Sequence, residues 1–429
     1  MPLALPQEIL THRTKGIPGG TPSFDIADIA RWQWNVLQGD MPLPLAILRE
    51  SVLAANAGWM RAFCDHHRVS LAPHGKTTMA PKLFERQLAD GAWAITLATA
   101  HQVQVARDCG IGRILVANQV VDPAFLHFVM SELDRDPGFD LLLLVDSVEA
   151  VRLLVSAWRA GAHARPVGVL IEVGAGGGRT GVRTAELAMA IGDEISRHPE
   201  ALTLRGVEAF EGIFSGSADA KVAPVDALLG FATEVARGLD GRGLFAGEIV
   251  LSAGGSAYFD RVVSAFSAAG LSRPTRIVLR SGCYIAHDGR LYADYLAALG
   301  ARVPEGFLPP GTLAPALSVL ARVQSLPEPG LALLTAGKRD LSYDSHLPIP
   351  THVYRHGTHA APLALGQGHE IVALADQHAF MRLPPDAALA VGDIVLLDIS
   401  HPCTTFDKWD VLYGVDDAFN VVEAYKTYF

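Results

Sequence analysis

The segment Val69-Ser70-Leu71-Ala72-Pro73-His74-Gly75-Lys76-Thr77-Thr78 sets an apolar run of strand length directly before a single lysine. If that run is a barrel strand, Lys76 stands at its end. A closed pocket there would lower the ammonium pKa by desolvation and leave a neutral amine able to attack an aldehyde. A solvated surface lysine is the ordinary alternative, so the choice rests on whether the remaining chain builds a barrel around it.

Seven similar runs follow, at 93–97, 113–117, 141–145, 167–173, 205–210, 248–251 and 276–279. They are rich in β-branched residues or leucine and mostly continuous, as strands buried on both faces are. Helical spacing fills intervals such as 80–90, 100–109, 147–160, 184–197, 224–239 and 257–269. This α/β alternation predicts a parallel (β/α)8 barrel, with a doubly wound open sheet as the alternative. In a barrel, chemistry gathers in the loops after the strands. Those positions hold Lys76, His101, Asn118, Asp146, Arg179, Glu211, Gly254-Gly255-Ser256, and Arg280 with Tyr284.

Beyond Gly311 the pattern changes to short stretches at 316–323, 331–335, 370–374 and 394–398, punctuated by proline and glycine, which predicts a β domain. Pro304, Pro309 and Pro310 mark the linker. The expected division is an N-terminal extension over 1–39 packing on the β domain, a barrel over 40–305, and a C-terminal β domain over 306–429.

Composition narrows the function. With 50% of its 429 residues hydrophobic and 19% charged, the chain is suited to a large core. A net charge of −10 without a basic block argues against nucleic acid and anionic membranes and in favour of a small-molecule partner. Four cysteines without paired spacing, no secretory leader pattern and no run of 18 apolar residues lead us to expect a reduced, cytoplasmic protein.

Three segments carry candidate chemistry. Gly254-Gly255-Ser256, after the seventh strand and before a helix, suits a phosphate, or else forms a tight turn in which Ser256 caps the helix. The 174–178 glycine cluster ends in Arg179-Thr180-Gly181, which either aims an arginine at the barrel mouth or leaves it solvated in a loop. His401-Pro402-Cys403 offers an imidazole and a thiolate, the preferred donors for zinc, while a buried cysteine near a surface histidine is the plain alternative.

The Pro73–Thr77 motif, Arg179-Thr180-Gly181, the Gly254-Gly255 turn, Arg280-Ser281-Gly282 and the late His401-Pro402-Cys403 occur in an order that resembles the D-serine dehydratase and D-threonine aldolase family, with its alanine-racemase-type fold. The resemblance runs from about Asp40 to the C-terminus, and residues 1–39 look like an extension of a longer, deaminase-like branch. It implies that Lys76 forms a Schiff base with pyridoxal 5′-phosphate. Arg179, with Thr180 and Glu211 nearby, would contact the cofactor, and Gly254, Gly255 and Ser256 would cradle its phosphate. It further implies that His401 and Cys403 bind a divalent metal, zinc by donor type, and that the protein is a homodimer, with His378 a candidate near the active site. A histidine and cysteine pair is similar to the dehydratases, whereas the aldolases usually offer histidine and aspartate. One departure is Phe210, where relatives commonly carry tyrosine before Glu211.

The expected reaction is β-elimination of water from a D-amino acid with a β-hydroxyl, such as D-serine, D-threonine or D-threo-3-hydroxyaspartate. Lys76 would remove the Cα proton, and a 2-oxo acid and ammonia would result. Retro-aldol cleavage, racemisation with Tyr284 as a second base, and a non-catalytic carrier of the cofactor are the alternatives.

Overall fold

The computed structural model describes residues 3–255 and 257–429. Eight parallel strands form one sheet: β1 (Ser70–Leu71), β2 (Ile95–Leu97), β3 (Arg113–Gln119), β4 (Asp140–Val145), β5 (Val167–Val173), β6 (Leu202–Ala209), β7 (Ile249–Ala253) and β8 (Thr275–Leu279). Each pairs with its sequence neighbour from β2 to β8, and β8 returns to β1 with Val278 opposite Ser70. The seam between β1 and β2 is closed by Trp93 N–H to Leu71 C=O at 2.7 Å, Thr96 N–H to Pro73 C=O at 3.0 Å and a bridge between His74 and Thr96. The fold is thus the barrel rather than the open sheet.

Burial explains why the strand runs read as continuous. Every residue of β5 is buried, half the side chains facing the barrel interior and half the surrounding helices. Ala72, Leu115, Leu142, Leu144, Leu170, Val250 and Val278 fill the interior, so the barrel is a packed core with its opening only at the strand ends. Four helices start on the same device: Thr99, Asp122, Ser147 and Thr184 accept the amides of Gln102, Phe125, Ala150 and Leu187. Each cap satisfies one orphan N–H of its helix and ends the preceding loop at a defined point.

In the β domain the long strand Leu317–Glu328 pairs antiparallel with Ile394–Asp398, Leu331–Leu334 and Leu45–Arg49. Leu45–Arg49, assigned from sequence to the barrel, therefore belongs to the β sheet, and the barrel begins at helix Glu50–His67. Its first four residues are buried, and it is flanked on its other side by Val411–Val415. A strand enclosed in this way carries no local mark of which sheet it joins. Residues before it pack on the same domain: Leu10, Ile17, Trp34 and Val36 share a core with Ile47, Tyr354 and Tyr413. Among the described residues, no helix is long and apolar enough to cross a membrane.

Candidate active site

A cavity of about 570 Å³ opens at the C-terminal ends of the barrel strands and is bounded on one side by the β domain. Lys76 enters it from the short turn Gly75–Thr77 that follows β1. The residue is exposed, so the enclosure expected from its sequence context is not supplied by the side chains of one chain. Beside it, His74 is held neutral. Burial, with Lys76 and Arg280 adding positive charge, keeps its pKa well below the usual value.

Strands β5 and β6 supply the opposite wall. Glu172 accepts Thr180 Oγ1 at 3.0 Å on one oxygen and Gln119 Nε2 on the other. Glu208 pairs with Arg280, whose other guanidinium hydrogens go to Ser252 Oγ at 2.7 Å and Ala209 C=O at 3.0 Å. Burial pushes the Glu208 carboxyl up to about 8 although Arg280 opposes the shift. Arg179 lies over the Phe210 ring, 4.5 Å from its centroid. Its loop is tied down by Gly181 N–H to Asp146 Oδ2 at 3.0 Å and by pairing of Val173 with Val182. The arginine is exposed, yet it stands on a fixed loop and faces the cavity.

The turn after β7 has the chemistry of an anion cradle. The Gly254 N–H at 2.9 Å and the Gly255 N–H both donate to the Glu211 carboxyl. A Cβ at Gly254 would come within 2.5 Å of the Phe210 ring, and Gly255 sits at φ +71°, so both positions call for glycine. These two amides suit a phosphate, but here a carboxyl group takes them, and burial raises the pKa of that carboxyl. Ser256, the third member expected of the cradle, lies outside the described residues.

From the β domain, the four-residue helix Cys403–Phe406 brings Cys403 to the barrel mouth. Its Sγ lies 3.4 Å from Thr77 Oγ1 and 3.7 Å from Cys283 Sγ, joining residues 326 positions apart in the chain. His401 Nδ1 bonds Asp344 Oδ2 at 2.6 Å, which orients the ring and leaves Nε2 available. Burial lowers the His401 pKa, but Cys403 and Asp344 outweigh it and raise it to about 9. The Cys403 thiol is held well below its usual value by Cys283 and His401 against the effect of burial. An oriented imidazole beside a thiolate fits a soft divalent metal. Among the described residues, no three His, Cys, Asp or Glu side chains are grouped to hold an ion.

Two sequence candidates stand elsewhere. Tyr284 is 4% exposed and packs among Met60, Leu296 and Leu299, away from the cavity. Neighbouring residues of a 3-10 turn point about 120° apart, so Cys283 faces the cavity while Tyr284 turns outward. His378 lies in the turn before Ala379–Arg382, where its C=O accepts the Ala375 N–H at 2.9 Å, and it is not part of the cavity wall. Its neighbourhood is set by a hairpin of the β domain rather than by the barrel mouth. The wall also holds residues that the sequence reading did not select, among them Glu172, Glu208, Tyr258, Tyr292 and Tyr295. Glu172 and Glu208 left a signal, a lone acid inside an otherwise buried strand. The tyrosines left none.

The geometry has counterparts in known proteins. Residues 49–288 match the family described as alanine racemase, N-terminal domain, and residues 316–415 match the putative serine dehydratase domain. The chain is 28% identical over 379 residues to a D-threonine aldolase of Arthrobacter sp, covering 87% of this chain and 89% of that one. It is also 28% identical over 384 residues to a 3-hydroxy-D-aspartate aldolase of Paracoccus denitrificans (strain Pd 1222), covering 88% and 89%. Among solved structures, a D-threonine aldolase from Filomicrobium marinum superposes with a TM-score of 0.72 at 25% identity, covering 90% of this chain and 95% of the other. With more than half of the chain matched on a closed parallel barrel and a β domain beside its mouth that matches the putative serine dehydratase domain, the chain belongs to the alanine-racemase-type family, in the group of the D-serine dehydratases and D-threonine aldolases.

Proposed function

We propose that this protein is a lyase for D-amino acids that carry a β-hydroxyl, dependent on pyridoxal 5′-phosphate and on a divalent metal, and that it eliminates water to give a 2-oxo acid and ammonia. One observation carries most of the reading, the 3.4 Å contact between Cys403 Sγ and Thr77 Oγ1. It sets a soft-metal donor pair beside the residue next to Lys76, on one cavity.

Pyridoxal 5′-phosphate, when bound, supplies an electron sink that acidifies the Cα–H bond of an amino acid joined to it. Lys76 would hold it through its amine. The same amine, when free, would serve as the base for the Cα proton. One base on one face selects one enantiomer. Tyr284, the candidate for a second base in a racemase, faces away from the cavity. Arg179 would meet the ring's oxygen substituent, and the Gly254 and Gly255 amides would take the phosphate in place of Glu211. A metal on His401 and Cys403 would supply Lewis acidity toward the β-oxygen, which as hydroxide is otherwise a poor leaving group. Asp344 keeps the His401 ring oriented for that role.

Elimination is supported by the histidine and cysteine donor pair and by its position inside the segment matched as a putative serine dehydratase domain. Retro-aldol cleavage is the second reading, supported by the names of the Arthrobacter, Paracoccus and Filomicrobium relatives. Product analysis on D-serine, D-threonine and D-threo-3-hydroxyaspartate, with and without a chelator, separates them. A 2-oxo acid with ammonia, lost on chelation, is expected. Glycine with an aldehyde would establish the aldolase reading, and no turnover by the cofactor-loaded protein would overturn both.

A further inference from the structure

We propose that Glu208 is the protein's partner for the ring nitrogen of pyridoxal 5′-phosphate, through its free oxygen Oε2. The inference rests on the cofactor reading above and adds to it a residue that controls how strongly the ring withdraws electrons.

The argument starts from the cofactor's covalent structure. Its aldehyde carbon and its ring nitrogen are para to one another, so a ring attached at Lys76 directs its nitrogen away from β1. In the closed order of eight strands, β5 stands opposite β1 and β6 lies beside β5, toward the Gly254-Gly255 turn. The inward side chains there are Glu172, Glu208 and Phe210. Phe210 has no polar atom. Both oxygens of Glu172 are already engaged by Thr180 and Gln119. Glu208 has one oxygen on Arg280, while Oε2 is buried with no partner among the described residues. The whole residue is 1% exposed, yet it lines the cavity.

A buried carboxyl oxygen without a partner is costly, and such a group persists where a ligand completes it. Burial raises the Glu208 pKa, so the group carries a proton that it can give away. Passing that proton to the ring nitrogen leaves a carboxylate, stabilised by Arg280 on one oxygen and by the newly protonated nitrogen on the other. Arg280 is the rival contact. Its guanidinium lines the same cavity against Glu208, and as a permanent donor it would leave the nitrogen unprotonated.

The test uses the full chain loaded with ring-15N pyridoxal 5′-phosphate. Borohydride reduction and peptide mass analysis first establish attachment at Lys76, and absence of any adduct would overturn the cofactor reading and this inference with it. With attachment established, the 15N shift of the wild-type protein is expected at the protonated position. In Glu208→Gln it should move to the unprotonated position while attachment persists. An unprotonated nitrogen in the wild type, or a protonated one in E208Q, would overturn the assignment while leaving the cofactor reading intact. Should E208Q fail to fold, the wild type is titrated with 1-deazapyridoxal 5′-phosphate, which has carbon in place of the nitrogen. Retention roughly tenfold weaker than that of the natural cofactor is expected from loss of one charge-assisted hydrogen bond. Equal retention would count against the contact.

Discussion

At the scale of single residues, the site depends on contacts that no neighbour in sequence provides. Cys403 meets Thr77 and Cys283 across the junction of barrel and β domain, and His401 meets Asp344, 57 positions away within the β domain. If Cys403 is a metal donor, Cys403→Ala should keep the visible absorbance of bound cofactor and lose bound metal. Turnover should fall on the order of 100-fold or more, since a Lewis acid contributes several kcal/mol to such a barrier. Full turnover by the metal-free variant would remove the metal from the reaction. Lys76→Ala should abolish the borohydride-trapped adduct, and an adduct unchanged in the variant would place the attachment elsewhere.

Secondary-structure elements hold these residues in position through close backbone approach and buried charge pairs. In β6, a Cβ at Gly206 would lie 1.8 Å from the Val250 carbonyl oxygen of β7. Gly206→Ala must therefore push two barrel strands apart, at a cost of about 3 kcal/mol. A urea midpoint within experimental error of the wild type would show that the strands yield freely. Helix Leu291–Arg302, which carries Tyr292 and Tyr295 to the cavity, is anchored by Arg302 on both oxygens of Asp260 at 2.6 and 2.7 Å. The side chains are 15% and 3% exposed, so Asp260→Ala would leave a largely buried guanidinium unpaired. The expected loss is ~3–5 kcal/mol by chemical denaturation, and a loss no larger than that of an exposed pair would contradict it.

The whole molecule should record Glu208 in its pH dependence. In the cofactor-free protein Glu208 keeps its proton to about 8, whereas in the unfolded chain it ionises near its ordinary value of 4.5. Between those values the unfolded state binds fewer protons, so this group's contribution to stability is present below about 4.5 and is lost as pH rises to about 8. Asp393 works in the opposite sense. Burial raises its pKa, but Arg355 more than offsets the effect and holds it below the usual value, so its contribution is lost only as acid protonates it. Denaturation midpoints at pH 5 and pH 8 should differ less in Glu208→Gln than in the wild type. Equal differences in the two proteins would mean that Glu208 is ionised in the folded state.

The barrel was legible because strands enclosed on both faces must be apolar along most of their length, and the eight runs carry that mark, interrupted by charges at their ends and by Glu172 and Glu208. Lys76, Arg179, Gly254, Gly255, His401 and Cys403 could likewise be named, since each follows a strand or stands in a distinctive motif. Tertiary structure decided how they meet. It turned Tyr284 outward, placed His378 in a hairpin of the β domain outside the cavity wall and brought Tyr292 to that wall. It also moved Leu45–Arg49 into the β domain and left one oxygen of Glu208 without a partner among the described residues. Apolar periodicity records whether a residue is buried, but not which element it is buried against or which way a side chain points at the end of a strand. Those are set only when the helices close around the barrel and the β domain settles over its mouth.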